Sequence, residues 1–575
     1  MSFQSPTNDI VWMTMRRMRT PLIVLILVYF FSILTMISVP GMDPEGNRFH
    51  MSFLDAAYFM AILQTTIGFG EIPYSFTAAQ RMVVYWLLLP NVVAWLYSIG
   101  TLLGLILDKQ FQAAFHRSRF SWQVRGIKEP FYIVGGLGNT GYMTVAGLLA
   151  RGIHAVVIEN DESIVRHMML NDKFAHVPAL AGRTGKLSNL ELAGLHRENC
   201  MGVIATTNND QVNLTVAITV KLLRPDVVVL ARSEAQRVCD NMASFDTDLI
   251  VNPYRIFAER ISLALSSPIK FLVQDWLISV PGSKLREVIE PPRGPWIVCG
   301  AGRFGARLIE QLEINSLPVT VVDVHPDRLP AFEKAVLGRG TEVHTLEEAG
   351  IADAEGIVAA TGDDIDNLSI IMTARQLNPR LFFIARQEQR EHAELFASSG
   401  ADLIARRSRI VARQMLSFVT TPLLQSFMEH LIRADDSFAK QTATRLKDVL
   451  ENRAPSIWVF ELKGEIARNL RFVRAHTSKI TLEHIIRNSR SEENELLPCV
   501  CLTLERGAQR VFLPDSNTEL QIHDRLLFAG RGLARRQMLW TLMDSHSLLV
   551  NTSGKHLPRG ALWRWLSKRS SQRSN

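Results

Sequence analysis

The chain has 575 residues, of which 47% are apolar, a share close to the average of soluble proteins. A chain of this length is too long to fold around one hydrophobic core, so we expect roughly three or four domains. Because the apolar share is ordinary, we expect most of the mass to be water-soluble. The formal net charge of +7 is explained by basic residues beside two apolar runs and in the C-terminal tail, so it does not require nucleic acid as a partner.

Two long apolar runs lie near the N-terminus. Residues 21–39 carry no charge and have the ~20 residues that a bilayer-spanning helix needs. Residues 82–107 are also uncharged and form a longer run. We expect both to span a membrane. The first run is an anchor rather than a cleaved signal peptide, because it is long for such a signal and a second span follows it.

Basic residues predict the orientation of these spans. Arginines and lysines precede the first span and follow the second, whereas residues 41–80 contain only Arg48. The positive-inside rule then puts both termini in the cytoplasm and residues 41–80 outside. The chain is therefore expected to be a multi-pass protein of the plasma (inner) membrane.

The segment between the spans contains a short apolar stretch and a glycine loop. Residues 53–64 are helix-compatible, but 12 residues are too few to cross the hydrocarbon. A helix that enters halfway and returns through the loop fits this length, since non-helical backbone is permitted at membrane depth where it lines a watery path. Gly68 and Gly70 permit the alternating backbone twist that turns successive carbonyls toward a dehydrated cation.

The loop resembles the potassium-channel signature T-x-G-[YF]-G. The resemblance implies K⁺ as the permeant ion, with Gly70 at the outer bend and the preceding carbonyls facing the ion. Glu71 stands where the family usually has Asp, and the pore helix lacks Trp. The alternative is an extracellular glycine turn in a two-span anchor. The implied filter residues are Thr66, Ile67, Gly68, Phe69 and Gly70.

The second span contains candidates for a gate or hinge. Pro90 lies about twenty residues past the filter, where the family commonly has a hinge glycine, and a proline within a helix removes a hydrogen bond and kinks it. The alternative is a tolerated transmembrane proline. Gly100 and Gly104 are either close-packing sites between helices or a lower flexing point. The predicted gate or hinge residues are Pro90 and Gly100.

From residue 130 the pattern changes to short β runs and helices, and it repeats. Residues 131–141 (FYIVGGLGNTG) and 295–305 (PWIVCGAGRFG) each have G-x-G-x-x-G after an apolar strand, and an acid ends the next strand 23 residues beyond the first glycine. Two such copies predict paired Rossmann units. The candidate nucleotide-binding residues are Gly136, Gly138, Gly141, Glu159, Gly300, Gly302, Arg303, Gly305 and Asp323.

These motifs predict a nucleotide ligand. The glycines let backbone approach a pyrophosphate at a helix N-terminus. An acid after the second strand suits ribose hydroxyls and repels a 2′-phosphate, so NAD or an adenine nucleotide is favoured over NADP. Arg303 makes the second loop slightly better suited to a phosphate. The alternative is a Rossmann fold that keeps its glycines for packing and binds nothing.

The duplication extends through a whole domain of roughly 150 residues. The matched segments are 203–225 with 357–379, the strands that end at Arg232 and Arg386, and 255–268 with 409–422.

A pore followed by two such domains resembles prokaryotic two-span potassium channels with tandem RCK (regulator of K⁺ conductance) domains. The resemblance covers residues 20–535 or so and implies a homotetramer with a ring of eight RCK domains. Residues 255–290 and 409–435 resemble the helix-turn-helix crossover by which such domains pair. Residues 455–532 resemble the small ligand-binding C-terminal subdomain of the family.

The predicted fold class is a membrane α-helical pore module (two spans plus a re-entrant pore loop), two α/β Rossmann-like RCK domains and a small α+β C-terminal subdomain. The predicted domains are a cytoplasmic N-terminus (1–20), the pore module (21–110) with its filter (66–70), a linker (111–129), the first RCK domain (130–290), the second (294–436), the C-terminal subdomain (437–545) and a basic tail (546–575).

The predicted function is a tetrameric, ligand-gated, potassium-selective channel that NAD, ADP or ATP opens or closes. Calcium is a further candidate ligand, although no spacing resembles an EF-hand loop and metal ligands stay unassigned. Expected partners are three further copies, membrane lipid and the nucleotide, and no nucleic acid. We expect that the protein is not an enzyme, and we assign no catalytic residues. The alternatives are a membrane-anchored NAD-dependent oxidoreductase and a regulatory subunit of a potassium uptake system.

Two features are of lesser weight. The five cysteines show no metal-ligand pairing, so reduced buried thiols are expected.

Trp563 and Trp565 lie among basic residues of the tail. That composition suits an anionic membrane surface, although a disordered, solvated tail is favoured.

Overall fold

The computed structural model describes residues 6–68, 70–285, 287–477, 479–489 and 495–553, with side chains from residue 14 onward. It separates into two compact units, one of residues 1–131 and 156–200 and one of residues 132–155 and 201–575. Three predicted features lie outside the described residues: Phe69 of the filter, and Trp563 and Trp565 of the tail.

The pore module has a short helix between two long ones. Helical segments Thr14–Ser38 and Ala78–Leu107 are long and apolar enough to cross a membrane. The short helix has the 12 residues predicted, and the Ser52 side chain caps it by accepting the Asp55 N–H at 3.1 Å. The elements are α1 (Pro6–Ser38), β1 (Gly41–Met42), β2 (Arg48–Phe49), α2 (Phe53–Gln64) and α3 (Ala78–Leu107).

Helix α2 is held between α1 and α3 by buried contacts. The Tyr29 hydroxyl of α1 donates to the Ala57 carbonyl at 2.6 Å. The rings of Phe59 and Phe76 meet edge to face at 4.8 Å. These contacts hold the middle of α2, and the predicted filter follows its C-terminal end at Gln64.

The predicted linker is largely helical. Helix α4 (Lys109–Gly126) begins directly after α3, and Asp108 caps it by accepting two N–H groups of its first turn at 2.8 and 3.1 Å. At its other end, Arg197 donates to the carbonyls of Val124 at 2.9 Å and Ile127 at 2.6 Å. A helix tied at both ends can transmit displacement from the first Rossmann domain to α3.

The first Rossmann domain has the strand order β5-β4-β3-β6-β7-β8. Its first strand is fully buried, as expected of a parallel sheet covered on both faces. The elements are β3 (Phe131–Gly135), α5 (Asn139–Leu149), β4 (His154–Glu159), α6 (Glu162–Met169), β5 (Ala179–Ala181), α7 (Leu187–Leu192), β6 (Cys200–Ala205), α8 (Asp210–Leu223), β7 (Val228–Arg232), α9 (Gln236–Ala243), β8 (Leu249–Val251), α10 (Pro253–Ser266) and α11 (Pro268–Ile278).

The second domain repeats this topology, with the strand order β11-β10-β9-β12-β13-β14. Counted within the domain this is 3-2-1-4-5-6, the order of dinucleotide-binding folds. The elements are β9 (Trp296–Cys299), α12 (Arg303–Ile314), β10 (Val319–Asp323), β11 (Ala335–Leu337), α13 (Val343–Glu348), β12 (Gly356–Ala359), α14 (Asp364–Leu377), β13 (Phe382–Gln387), α15 (Ala393–Ser398), β14 (Leu403–Arg406), α16 (Arg407–Thr420) and α17 (Pro422–Arg433).

The two Rossmann domains pack reciprocally. Helix α10 of the first packs on α12 of the second, and α16 of the second packs on α5 of the first. A Cβ at Gly147 of α5 would overlap the Leu416 side chain of α16. Each helix that follows a glycine loop is therefore covered by the crossover helix of the other domain.

The C-terminal subdomain is an antiparallel sheet with helices, as predicted. Its strand order is β15-β18-β16-β17. The tail predicted from residue 546 begins instead with a helix, because Leu548 and Leu549 are buried against the subdomain core. The elements are α18 (Asp436–Leu450), β15 (Ser456–Glu461), α19 (Gly464–Arg474), α20 (Leu482–Ile486), β16 (Cys499–Arg506), β17 (Gln509–Phe512), β18 (Arg525–Gly530), α21 (Gly532–Met543) and α22 (Ser545–Ser553).

Candidate functional site

The described residues of the predicted filter have left-handed backbone at every second position. Thr66, Gly68 and Gly70 have φ angles of 59°, 65° and 98°, all in the left-handed region. Ile67 lies between them with negative φ, and its N–H donates to the Ile62 carbonyl at 3.1 Å. A left-handed residue at every second position turns successive carbonyls to one side, which is the arrangement predicted for cation coordination.

Thr66 is the one non-glycine residue with positive φ among the described residues of this strand. A residue with a Cβ is disfavoured in the left-handed region by about 1–2 kcal/mol. The end of α2 holds the turn, because the Thr66 N–H donates to the Leu63 carbonyl at 3.2 Å and the Thr65 hydroxyl donates to the Ala61 carbonyl at 2.8 Å. Strain that the surroundings maintain is typical of functional segments.

A salt bridge closes the segment after the filter. Arg81, in the first turn of α3, donates to both oxygens of Glu71 at 2.7 and 3.1 Å, and the Phe76 N–H donates to the same carboxylate at 2.8 Å. The hydrogen bond from Arg81, followed by that from Phe76, holds the pKa of Glu71 below its ordinary value. The glutamate in place of the family's Asp therefore anchors the outer segment to α3.

The gate candidates lie within an unbroken helix. Pro90 is inside α3, which continues to Leu107. The next residue, Asn91, donates to the Ser32 hydroxyl of α1 at 2.7 Å. No described atom lies within 4 Å of a Cβ built at Gly100. Hinge roles for Pro90 and Gly100 stay predictions.

In both glycine loops the first and third glycines serve backbone packing. A Cβ at Gly141 would overlap the Gly136 carbonyl oxygen, and a Cβ at Gly305 would overlap that of Gly300. Gly136 and Gly300 also have φ angles of 90° and 105°. These four positions require glycine whether or not a ligand binds.

The middle glycines are different, because they face open space. No described atom lies within 4 Å of a Cβ built at Gly138 or Gly302. Each is the N-cap residue of the following helix, α5 or α12, and neither helix has a side-chain cap. Both helix N-termini are therefore accessible to an anion, as a bound pyrophosphate requires.

Asp323 lies beside the glycine loop of its own copy. Its buried carboxylate accepts the Ala301 N–H at 2.6 Å and the His325 N–H at 2.8 Å, and Arg328 approaches it at 3.4 Å. Ribose hydroxyls lie at this edge of the loop in dinucleotide-binding folds. In the first copy, half-buried Glu159 ends β4 and accepts the Asp161 N–H at 3.0 Å.

The loops that follow β6 and β12 have the same hydrogen bonds in both copies. Asn213 accepts the Thr207 N–H at 3.1 Å and donates to the Arg232 carbonyl at 2.9 Å. Asn367 makes the corresponding bonds to Thr361 at 2.9 Å and to Arg386 at 3.0 Å. The pairing of these residues in the duplicated sequence is therefore matched by equivalent contacts.

Sequence reasoning missed a charged cluster where the two Rossmann domains meet. Glu234 of the first domain is 8% exposed. Its carboxylate forms ion pairs with Arg303 at 3.1 Å and with Arg407 at 2.5 Å, both of the second domain. It also pairs with Arg232 of its own domain. The Tyr254 hydroxyl donates to Glu234 at 3.2 Å. Arg303 was expected to serve a phosphate in its own loop, but its guanidinium is directed to the other domain.

The second domain supplies the other half of the cluster. Glu388 pairs with Arg407 at 2.8 Å and with Arg386 at 2.7 Å. Arg386 also lies over the Tyr254 ring of the first domain at 5.2 Å. An Arg-x-Glu sequence ends the matched strand in both copies, at Arg232 and Arg386. This repeated triplet was the available signal for the cluster.

Electrostatics keep Glu234 ionised. Burial raises its pKa, but the charges of Arg407 and Arg232 lower it, and the net direction is downward. The cluster is therefore a set of ion pairs near neutral pH, and Glu234 is the acid that pairs with arginines of the other domain.

The cysteines and the described acids provide no metal centre. All five cysteines are buried and free. Burial raises the pKa of the Cys299 and Cys499 thiols to about 12. Within the described part of the chain, no group of three or more His, Cys, Asp and Glu side chains is arranged to hold a metal ion.

Two family models match this chain. The ion-channel model matches residues 22–107. The TrkA-N domain model matches twice, at residues 132–253 and 296–406. Both matches to the second model begin at the first Rossmann strand of a copy.

The similar proteins of known sequence include two channels of Methanocaldococcus jannaschii. Probable potassium channel protein 2 is 26% identical over 176 residues, covering 29% of this chain and 51% of that protein. Potassium channel protein 1 is 21% identical over 256 residues, which cover 44% of this chain and 72% of that protein. The chain thus spans about half the length of the first of these relatives.

Among solved structures, the GsuK channel superposes on most of this chain. It is 15% identical, with a TM-score of 0.48, and the superposition covers 93% of this chain and 99% of that one.

Proposed function

We propose that this chain is a potassium-selective channel gated by a cytoplasmic nucleotide. It joins an ion-channel domain to two TrkA-N domains, and this organisation resembles that of prokaryotic two-transmembrane potassium channels with tandem RCK domains. Its relatives from Methanocaldococcus jannaschii bear the names of potassium channels. The proposal extends that activity to the whole of this chain.

The filter geometry carries the proposal. Left-handed backbone at Thr66, Gly68 and Gly70 follows a 12-residue helix held between two long apolar helices. Such a strand offers carbonyl oxygens on one side, and these replace the hydration shell of K⁺. A glycine turn in a simple anchor has no reason to hold Thr66 in a strained conformation.

The channel is proposed to be a homotetramer in a plasma (inner) membrane. One chain supplies one filter strand, and rings of carbonyls around an axis need several such strands. The distribution of basic residues supports cytoplasmic termini, with residues 41–80 outside. The tandem Rossmann domains then form a cytoplasmic ring beneath the pore.

The ligand is proposed to be NAD or an adenine nucleotide in at least one glycine loop. Open space at Gly138 and Gly302, beside uncapped helix N-termini, supports pyrophosphate binding. The acid at the end of each second strand supports an unphosphorylated ribose. Calcium is the other ligand considered. The described residues of one chain contain no cluster of His, Cys, Asp and Glu side chains that could hold it.

The nucleotide is assigned a regulatory role and no catalysis. A soluble regulatory subunit of an uptake system would account for the TrkA-N domains, but it would leave the ion-channel domain unexplained. An anchored oxidoreductase would leave the filter segment unexplained. The channel assignment accounts for both parts of the chain.

Potassium flux from liposomes that hold the purified protein tests the proposal. We expect K⁺-selective flux that changes when NAD, ADP or ATP is added on the cytoplasmic side. Flux without selectivity for K⁺ over Na⁺ would reject the filter. Selective flux that ignores all three nucleotides would reject the gating ligand and leave the pore assignment in place.

A further inference from the structure

Helix α4 begins where the second long apolar helix ends. Only Asp108 separates α3 from α4, and its ψ angle of 123° is extended rather than helical. A residue with extended backbone between two helices lets their axes point in different directions. The last residue of α3, Leu107, is 74% exposed. Helix α4 therefore starts at the edge of the hydrocarbon and does not have to continue along the axis of α3.

Two large aromatic side chains are exposed on α4. Trp122 is 77% exposed and Phe115 is 52% exposed. They are seven residues apart, so they lie on one face of the helix, two turns from each other. Exposed Trp and Phe side chains on a helix beside a membrane span are typical of a helix that lies in the headgroup layer.

The opposite face of α4 is the one that packs on protein. Phe120 and Val124 are buried. Val124 comes nine residues after Phe115, which is two and a half turns, so the two side chains point to opposite sides of the helix. The face of Phe115 and Trp122 is therefore the face that the fold of one chain leaves exposed.

This exposed face is also basic. Arg119 lies four residues after Phe115 and three before Trp122, so it belongs to the same face, and it is exposed. The helix contains no Asp or Glu, and the acid that precedes it, Asp108, pairs with Arg17 of α1. A positively charged helix with exposed aromatic rings complements an anionic lipid surface. Its other lysine and arginine residues are exposed as well: Lys109, Arg117 and Arg125.

We propose that the face of α4 formed by Phe115, Arg119 and Trp122 binds the anionic phospholipid headgroups of the bilayer surface at the end of α3. The two rings enter the headgroup layer, and Arg119 pairs with lipid phosphate. If α4 followed the bilayer normal, Trp122 would lie about 20 Å beyond the end of α3, whereas the headgroup layer is roughly 5–8 Å thick on each side. The proposal therefore requires α4 to run along the membrane surface, which makes the depth of Trp122 measurable.

Fluorescence quenching in proteoliposomes tests this placement and does not depend on K⁺ conduction or on nucleotide. The full-length protein is reconstituted in phosphatidylcholine vesicles with a rising fraction of brominated phosphatidylglycerol or, in parallel, brominated phosphatidylcholine. Both lipids carry bromine on their acyl chains next to the headgroup. The chain has ten tryptophans, so the signal of Trp122 is the difference between wild type and Trp122→Phe. The matched control is Trp540→Phe, which removes another exposed tryptophan, on α21.

The charge of the face is varied separately. Arg119→Gln removes the charge, and Arg119→Lys keeps it, so a loss of lipid preference in the first variant alone excludes misfolding as the cause. Arg535→Gln removes one charge from an exposed position on α21 and is the control for net charge.

We expect brominated phosphatidylglycerol to quench the Trp122 signal at a lower lipid fraction than brominated phosphatidylcholine does, and to leave the Trp540 signal unchanged. In Arg119→Gln the fraction of phosphatidylglycerol for half-maximal quenching should rise about fivefold, and in Arg119→Lys and Arg535→Gln it should stay close to that of wild type. Equal quenching of Trp122 by the two lipids, or none by either, would overturn the proposal. An unquenched Trp122 together with a smaller oligomer in Trp122→Phe would assign this face to a contact between copies and would also overturn it.

Discussion

Arg17 of α1 and Asp108, the residue that follows α3, form an ion pair at 2.6 Å. The same Asp108 carboxylate caps α4. One side chain therefore joins the first span, the end of the second span and the start of the linker helix. Movement of α4 that pulls on α3 must either break this ion pair or move α1 as well.

We expect Asp108→Asn to conduct K⁺ with an altered open probability and a weaker nucleotide response. Asparagine still caps a helix, so the variant removes the charge and keeps the cap. Asp108→Ala removes both and should have the larger effect. Single-channel recording measures the change. Arg17→Gln should reproduce Asp108→Asn, whereas the neighbouring Arg19→Gln should not. Wild-type gating in Arg17→Gln and Asp108→Asn together would show that the pair has no part in coupling.

We expect a low pH to weaken the nucleotide response in the same way as the Asp108→Asn substitution. The hydrogen bond from Arg17, followed by that from Phe111, lowers the pKa of Asp108. A lowered pKa means that the pair is intact above the ordinary range of an aspartate and is lost as pH falls through the lowered value. Recording at stepwise lower cytoplasmic pH should show the nucleotide response weaken only in strongly acidic solution. The Asp108→Asn variant should lack this acid step.

The filter prediction rests on backbone strain. Gly68 has φ +65° and no described atom within 4 Å of a Cβ built there, so Gly68→Ala acts through backbone conformation rather than through a clash. We expect the tetramer to assemble and either flux or K⁺/Na⁺ selectivity to be lost, and Gly70→Ala should do the same. Gly46 also has positive φ and an open Cβ position, but it lies in the turn between β1 and β2, so Gly46→Ala should conduct normally. Selective liposome flux in both filter variants would reject residues 66–70 as the filter.

Nucleotide affinity should depend on the acids that end β4 and β10. Loss of a hydrogen bond to a charged group costs about 1.5–3 kcal/mol, or roughly 10- to 150-fold in affinity. Glu159→Ala and Asp323→Ala should each lower NAD or ADP affinity by that factor if the corresponding copy is occupied. Titration calorimetry on the full-length protein measures this, with Glu162→Gln, a substitution of an exposed acid on α6, as the control. Unchanged affinity in the double variant would mean that the ribose binds elsewhere.

The Glu234 cluster should contribute strongly to stability. Removing one partner of a buried ion pair costs about 3–5 kcal/mol, because it leaves the other charges uncompensated. Glu234→Gln leaves Arg303, Arg407 and Arg232 without their shared carboxylate, so we expect it to destabilise the paired Rossmann domains by that order. Because the folded pKa of Glu234 is lowered, this stability is present above the ordinary pKa of glutamate and is lost as pH falls through the folded value.

Denaturation monitored at neutral and acidic pH checks this prediction. Glu310→Gln is the matched control, because Glu310 pairs with Arg307 at 2.8 Å on the surface of α12, and exposed pairs contribute about 0–1 kcal/mol. The difference between the two variants should shrink as the solution becomes acidic. A Glu234→Gln protein as stable as the Glu310→Gln protein at neutral pH would contradict the prediction.

We expect helix α4 to transmit the nucleotide response from the first Rossmann domain to α3. Ten flexible Gly/Ser residues inserted after Arg119 interrupt α4 between the cap at Asp108 and the anchor at Arg197, and such segments behave as loose coils. We expect K⁺ conduction and nucleotide binding to persist without coupling between them. The same insertion after Gly46 in the outer loop is the control for pore assembly. An open probability that still follows nucleotide at wild-type amplitude would exclude transmission through α4.

Much of this fold was predictable because its signals are local. The α2 bounds, the Rossmann strands and the acids that end β4 and β10 all follow from apolar runs and fixed spacings. The cluster around Glu234 was not predictable in the same way, because its partner Arg407 is 173 residues away in sequence. The helical nature of the linker was also missed, since its charged and aromatic residues have no clear apolar stripe.

The filter shows a different limit of sequence reasoning. The motif predicted that residues 66–70 turn their carbonyls toward the ion, and this stays a prediction; Thr66, Gly68 and Gly70 have the positive φ angles that it requires. What holds the outer segment was not visible, because Arg81 binds Glu71 across a loop that includes Pro73. Long side chains that return across a loop leave no spacing pattern in the sequence.

The reciprocal packing of α5 with α16 and α10 with α12 has an evolutionary consequence. In a symmetric pair of identical chains, every substitution appears on both sides of the interface. Joining the two copies in one chain removes that constraint, and the copies have since diverged. Arg303 of the second loop corresponds to Asn139 of the first, and Tyr254 to Ser408. Each half can therefore specialise independently, with one loop adapting to a ligand while the other adapts to holding its neighbour.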